Sequence, residues 1–350
     1  MSKSMQIKSW ANLLRNAFCV YVFPQGVRVL AASVFITNEC NLNCIMCSIG
    51  RMKSKESMSL SKVDKIFKEL KREGVMNIVL VGGEPTLHKN FKEIVEMAAA
   101  YGFSISMSTN GIFLNKIGKD TLKKFSEISV SLDSIKHYEQ IRGKPFFEQV
   151  DKGIRRLKTL GIRTNVMMVV QKLNYNEIED VIAYCKKLDL GLRLETVVIT
   201  DLNPFVTSNK KIAYYDADSV IQRTKELSIK YPQTIINKTS FLSQLSQKKS
   251  SRCNSCVWPL RSIQVWVNGD LISCCGFYPK MLGNIFEKGL HKIRKDNMRY
   301  FISILNGKGA CKDCSFYLTK KQYAISNISV FLKIPFDYVN SKIRNSQCKI

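Results

Sequence analysis

Histidine is scarce in this chain: its 350 residues hold three, His88, His137 and His291. A histidine general base is therefore not prominent, and a carboxylate, Tyr or Lys is as well suited to any proton transfer. Acids are short as well, 28 Asp and Glu against 54 Lys and Arg, for a formal net charge of +26. Residues 1–30 have no acid beside Lys3, Lys8, Arg15 and Arg28, and residues 316–350 set six Lys/Arg against Asp337 alone. Such ends suit an anionic partner or simply a solvated surface, and charge alone does not choose between them. No apolar run is long enough to cross a membrane: residues 17–36 are broken by Pro24, Gln25, Gly26 and Arg28. The N-terminus lacks the apolar core and small-residue cleavage site of an export signal. There is no internal repeat. No basic–aromatic RNA-recognition signature is visible either, which ranks nucleic acid below other anionic partners.

What is present is a globular composition, 45% hydrophobic and 23% charged, with length for one large domain and a smaller one. Twelve cysteines would permit a disulfide scaffold. Their clustering and the length of the chain argue instead for metal binding in a reducing, cytoplasmic setting. Near the N-terminus Trp10, Leu13, Leu14, Ala17 and Phe18 fall at helical spacing with Lys8 and Arg15 off the stripe. Such a stripe either packs on its own domain, the reading preferred here, or lies on a membrane surface.

From Ser33 to Thr200 short apolar runs alternate with amphipathic ones. "SVFIT", "NIVLV", "FSISMSTNG", "EISVSLDS", "RTNVMMVVQ" and "LRLETVVIT" read as strands. Between them lie helices, one starting near Ser61 as cap with Asp64 three residues on, another capped by Asn90 with Glu93 and stopped by Gly102. The pattern implies a parallel sheet with helices outside, and periodicity does not separate a doubly wound sheet from a barrel. Ligands of such folds sit at the C-terminal strand ends. Cys40, Cys44 and Cys47, Gly82–Pro85, Thr109–Gly111 and Ser131–Ser134 all fall there.

Three cysteines within eight residues are one thiolate short of a closed zinc or iron–sulfur site. In a four-iron cubane, three thiolates leave one iron open to a substrate or cofactor. The alternative is a zinc site completed by a distant residue. The spacing C-x3-C-x2-C directly after the first strand, followed by "GGEP" after the second, resembles the signature of the radical S-adenosylmethionine (radical SAM) enzymes over roughly residues 30–200. The resemblance implies an open, partial (β/α)6 TIM-like barrel. It implies that Cys40, Cys44 and Cys47 bind a [4Fe–4S] cluster and that SAM chelates its open iron. One-electron reduction would then yield a 5′-deoxyadenosyl radical, with an electron donor resembling flavodoxin or ferredoxin. It places Gly82, Gly83, Glu84 and Pro85 against the methionine end of SAM, Glu84 accepting from its ammonium. Asn110, Ser131 and Asp133 would meet ribose or carboxylate, and Arg142 would pair with the carboxylate. Met46, before the third cysteine, stands where an aromatic residue is usual.

A second set comprises Cys253, Cys256, Cys274, Cys275, Cys311 and Cys314. "IQVWVNGDLIS" between them reads as a hairpin turning at Asn268–Gly269, with a helix following near residues 288–305. By itself this is as good a zinc ribbon as an iron–sulfur site. The order, with "LGN" at Leu282–Asn284, resembles the auxiliary-cluster module of the SPASM/twitch subgroup. That likeness implies Cys256, Cys274, Cys311 and Cys314 as ligands of one auxiliary [4Fe–4S] cluster, with Cys253 and Cys275 spare. Only Cys348 remains downstream, which favours the shorter, one-cluster twitch form.

The domain reading is a basic amphipathic segment at 1–30, the radical SAM core at 31–200, a connecting region at 201–252, the auxiliary module at 253–315 and a basic tail at 316–350. The resemblance implies an oxidoreductase- or transferase-type radical enzyme that brings about a net oxidation or a C–C or C–X bond change. The charge points to an anionic small-molecule, sugar or lipid-linked substrate and to peripheral contact with a membrane surface. The short segment before the first strand disfavours a ribosomal peptide. Modification of a peptide, protein or RNA, and a non-catalytic iron–sulfur electron-transfer protein, are the other readings.

Overall fold

The computed structural model describes residues 14–16, 18–197, 217–237, 256–273 and 280–306. Six strands, β1 (Ala31–Thr37), β2 (Asn77–Gly82), β3 (Ser104–Thr109), β4 (Phe125–Ser131), β5 (Thr164–Val170) and β6 (Gly191–Thr196), run parallel in sequential order. The crossovers carry helices α1 (Leu60–Arg72), α2 (Phe91–Ala100), α3 (Lys119–Leu122), α4 (Tyr138–Arg142), α5 (Phe147–Thr159) and α6 (Ile178–Lys187). Strand alternation sends Ala32, Val34 and Ile36 of β1 and Ile78 and Leu80 of β2 into the core. The helices answer with one apolar stripe each, Val63, Ile66, Phe67 and Leu70 on α1. Burying a side chain such as Phe67 contributes about 2 kcal/mol before its entropy cost.

One helix cap differs from the expectation and another agrees in position. The cap of α1 is Ser59, in extended conformation, whose hydroxyl accepts from the Lys62 N–H at 3.3 Å; Ser61 is already helical, its hydroxyl 2.9 Å from that of Ser59. Asn90 caps α2 by position only. Its side chain makes no cap bond, and its N–H donates to His88 Nδ1 at 3.1 Å.

The second module continues the first sheet. β7 (Ser262–Val265) lies parallel to β1, Ala31 beside Ser262, and β8 (Asp270–Ser273) and β9 (Lys280–Asn284) extend it antiparallel to nine strands. The hairpin turns at Gly269, φ 91°, where a Cβ would lie 2.3 Å from the Phe286 ring. Leu282–Asn284 form the end of β9. Helix α7 (Ala217–Lys230), in the connecting region, is followed by a return to the β6 edge, the Ile236 N–H donating to the Leu192 carbonyl at 2.9 Å.

After α8 (Trp258–Arg261) and α9 (Ile285–Lys288), the helix expected near 288–305 is two: α10 (Leu290–Asp296) and α11 (Met298–Leu305). They part at Asn297, whose amide donates to the Leu282 and Ile293 carbonyls. α10 fastens the module to the core: Arg294 bonds Glu73 at 2.8 Å and the Val27 carbonyl at 2.6 Å, and Leu290 N–H donates to Glu69 at 3.0 Å.

Residues 18–22 are helical, and the two stripe residues that are described do not pack on the body as the preferred reading had them. Asn16, Cys19 and Val20 face the body, while Leu14 and Phe18 face outward. Trp10, Leu13 and Ala17 lie outside the described residues. So do the tail and Cys253, Cys274, Cys275, Cys311, Cys314 and Cys348. Among the described residues no helix is long and apolar enough to cross a membrane.

Candidate active site

The loop carrying Cys40, Cys44 and Cys47 leaves the C-terminal end of β1 and is held from three sides. From β2, the Gly83 N–H donates to the Thr37 carbonyl at 2.9 Å and the Glu84 N–H to the Glu39 carbonyl at 2.7 Å. This contact is why the glycines are there. A Cβ on Gly82 would sit 2.3 Å from the Thr37 carbonyl oxygen, and one on Gly83 would sit 2.2 Å from that of Glu39. The close approach they permit is to the chain's own cysteine loop. From β3, Asn110 Nδ2 donates to Asn41 Oδ1 at 2.8 Å. From α4, the Ile141 carbonyl accepts from the Ile45 N–H at 3.0 Å, and an Arg142 guanidinium nitrogen lies 3.6 Å from Cys44 Sγ.

Glu84 is the hub of this arrangement. It is 1% exposed. Its Oε1 accepts from Thr86 N–H (3.2 Å), Thr86 Oγ1 (2.6 Å) and Thr109 Oγ1 (2.7 Å), and its Oε2 from Asn110 N–H (2.7 Å). Burial raises its pKa, and these donors oppose the rise. Through these bonds Glu84 ties β2 to β3. Pro85 follows as the first residue of a 3-10 turn capped by Glu84.

Arg142 likewise has a partner within the chain. Its guanidinium lies 2.5 Å from Asp133 Oδ2, both residues buried, while Asp133 Oδ1 accepts from Val169 N–H at 2.8 Å. Burial raises the Asp133 pKa against the pull of Arg142, and Arg142 stays charged beside Asp133 despite burial. A buried pair of this kind costs desolvation and fixes geometry more than it stabilises. Ser131 ends β4 half-buried, and no hydrogen bond joins its hydroxyl to the network among the described residues.

The donor set fits an iron–sulfur cluster. Cys40, Cys44 and Cys47 are near enough to perturb one another electrostatically, and burial pushes the Cys40 thiol up to about 11 and raises that of Cys44. Thiols so placed stay protonated until a metal displaces the proton. Among the described residues no three His, Cys, Asp or Glu side chains converge on one ion. A cubane does not require that, since each thiolate binds its own iron. The Tyr138 hydroxyl and Arg142 Nε are buried beside Cys44 without a hydrogen-bond partner among the described residues. Phe35, Met52 and Cys47 pack on Ile49, Trp266 and Ile272, with the Phe35 and Trp266 rings stacked at 4.0 Å. The auxiliary module thus supplies an apolar cover for the cysteine loop. Of the second cysteine set only Cys256 is described; it is buried, its N–H donating to the Ile304 carbonyl at 3.2 Å.

One group escaped the sequence reading. Glu177, at the start of α6, takes the Ser134 hydroxyl (2.7 Å), the N–H groups of Ile135 and Lys136 (3.1 and 3.0 Å), and His137 Nδ1. The cluster sits on the rim after β4 and β5. No spacing rule could have paired residues forty positions apart.

The site as built agrees with what the chain resembles. A family model described as the radical SAM superfamily matches residues 34–185, and one described as an iron–sulfur cluster-binding domain, SPASM, matches residues 239–315. A probable GTP 3′,8-cyclase of Pyrococcus abyssi is 31% identical over 48% of this chain and 57% of its own length. A GTP 3′,8-cyclase of Helicobacter pylori is 30% identical over 57% of this chain and 65% of its own. The chain thus spans less than two thirds of these curated relatives. Among solved structures, Streptococcus suis SuiB superposes with a TM-score of 0.64 at 16% identity over 84% of this chain and 74% of its own. The structure of anSMEcpe with bound AdoMet superposes with a TM-score of 0.61 at 17% identity over 90% of this chain and 99% of its own. By its core, its cysteine loop and its second domain, this chain belongs to the radical SAM superfamily and carries that superfamily's SPASM auxiliary iron–sulfur domain.

Proposed function

We propose that this chain is a radical SAM enzyme that acts on a residue of a peptide or protein. When bound, the cluster and SAM supply reductive cleavage to methionine and a 5′-deoxyadenosyl radical that abstracts a hydrogen atom. The chain's own part is to present and protect. Cys40, Cys44 and Cys47 offer three sulfur ligands and leave the fourth corner to the cofactor. Glu84, Gly82 and Gly83 fix the loop that carries them, and Arg142 places a positive charge beside Cys44. The Phe35–Trp266 stack keeps water from one side. The observation that carries the reading is the three-thiol loop pinned at the C-terminal rim of the parallel strands.

The peptide choice departs from the anionic small molecule, sugar or lipid suggested by charge. It is supported by similar structures that cover 90% and 82% of this chain, anSMEcpe bound to AdoMet and a peptide and SuiB bound to a precursor peptide. A nucleotide is the second reading, favoured by the cyclase relatives of the core and by the net charge of +26. The test is 5′-deoxyadenosine formation by anaerobically reconstituted protein with SAM and dithionite, beside Cys44→Ala, with a peptide pool, GTP or a lipid extract added. The expected result is product that vanishes in Cys44→Ala and rises most with peptides. Stimulation by GTP alone would transfer the reading to a nucleotide. No product from protein with its full iron complement would leave an electron-transfer protein.

A further inference from the structure

We propose that the N-terminal helical turn docks this protein on an anionic lipid surface. Eight large apolar side chains are exposed among the described residues, and five of them, Leu14, Phe18, Tyr21, Val22 and Phe23, fall within ten positions at 40–65% exposure. The remaining three are scattered at Leu173, Ile229 and Met281. A contiguous patch of this kind is what a monomeric surface ordinarily avoids.

The outward face is not the accident of a loose end. Asn16 is fully buried, its amide donating to the Arg28 carbonyl at 3.0 Å and accepting from the Arg28 N–H at 2.9 Å. Cys19 and Val20, three and four positions on, are buried in the core. The Phe23 N–H closes the turn on the Cys19 carbonyl at 2.9 Å. These contacts fix the rotation of the turn, so Leu14, Phe18, Tyr21 and Val22 can only point away from the body.

Charge selects the occupant. Arg15 is exposed on the same turn, Lys3 and Lys8 precede it, and no Asp or Glu occurs before Glu39. Aromatic and aliphatic side chains beside cations, with no acid, complement phosphate head groups over a shallow acyl layer. Tyr21 suits that boundary, with an apolar ring and a polar tip. A second copy of a chain with net charge +26 would bring the same cations against themselves. The patch precedes the N-terminal end of β1, whereas the cysteine loop leaves its C-terminal end. The seven residues of β1 between those ends span roughly 20 Å. Docking would therefore leave the reactive rim facing water, open to a soluble or protruding substrate.

The test is flotation of the full, iron-loaded chain with vesicles of phosphatidylcholine alone and of phosphatidylcholine mixed with phosphatidylglycerol. The expected result is flotation with the mixed vesicles, weakened by salt, and little with the neutral ones. Phe18→Ser combined with Phe23→Ser should lower the bound-to-free ratio at least about tenfold. Arg15→Gln should lower it about fivefold. SAM cleavage without vesicles should be unchanged in both. Should the double variant lose cooperative unfolding, Val22→Ser, at a position 64% exposed, takes its place. Absence of wild-type flotation, equal flotation with neutral vesicles, or undiminished flotation of the serine variant would overturn the proposal. A wild-type dimer broken by the serine variant in sedimentation velocity would overturn it in favour of a second copy.

Discussion

Replacing Glu84 by Gln changes one oxygen to an amino group and nothing in volume, so its effect isolates the hydrogen bonds. If the amide oxygen takes the place of Oε1, it keeps the three donors from Thr86 and Thr109. The new NH2 then faces the Asn110 N–H, which the carboxylate met at 2.7 Å. One charge-assisted bond is lost, and a backbone donor is left buried and unsatisfied. The two penalties overlap, giving a loss of about 3 kcal/mol. In urea this moves the midpoint down by roughly 1 M or more at unchanged slope. The assay is urea unfolding of iron-free protein under argon, which separates the fold from the cofactor. Thr109→Val and the double variant complete a cycle, in which a coupling of at least about 0.5 kcal/mol is expected for residues sharing a bond. A midpoint shift near zero for Glu84→Gln would refute the reasoning. It would mean that burial, which raises this carboxyl's pKa, keeps it protonated in the folded protein, so that Gln is a faithful mimic.

Two further outcomes are expected. Gly83→Ala places a methyl 2.2 Å from the Glu39 carbonyl oxygen and 2.8 Å from that of Asn38, backbone that cannot swing aside. It should cost about 3 kcal/mol in unfolding experiments and reduce the iron bound on reconstitution, and wild-type iron content in a stable Gly83→Ala protein would contradict the clamp. For Glu177, burial alone would raise the pKa, but donation by His137, Ser134 and the Lys136 and Ile135 N–H groups prevails and holds it below the ordinary value. Its contribution to stability is thus complete above the unfolded-state glutamate range and lost as pH falls through the folded value. Melting temperatures of wild type and Glu177→Gln, measured against pH, should differ near neutrality and converge in acid; parallel curves would refute the assignment.

Much of this protein was legible in one dimension. The strands and the longer helices from Ser33 to Thr196 follow from alternation, helical spacing and glycine stops, which are local properties; the short α4 (Tyr138–Arg142) was not read from them. The hairpin at Asn268–Gly269 was legible for the same reason, since only glycine readily takes the φ of 91° that the turn needs. The cysteine spacing carried the chemistry, because three thiols a turn apart on one loop need no distant partner to suggest a cluster.

What escaped involves partners far apart in the chain. The sequence could mark Glu84 and Arg142 as unusual, but not their bonds to Thr109, Asn110 and Asp133, which reach them only through the packing of neighbouring strands. β7 could be read as a strand, but its place beside β1 is a choice of sheet edge that only the folded core makes. The N-terminal stripe was plain in the sequence, and its direction was not. Spacing determines that apolar residues share a face. Only a tertiary contact, the two bonds between Asn16 and Arg28, decides which face the protein keeps and which it turns outward.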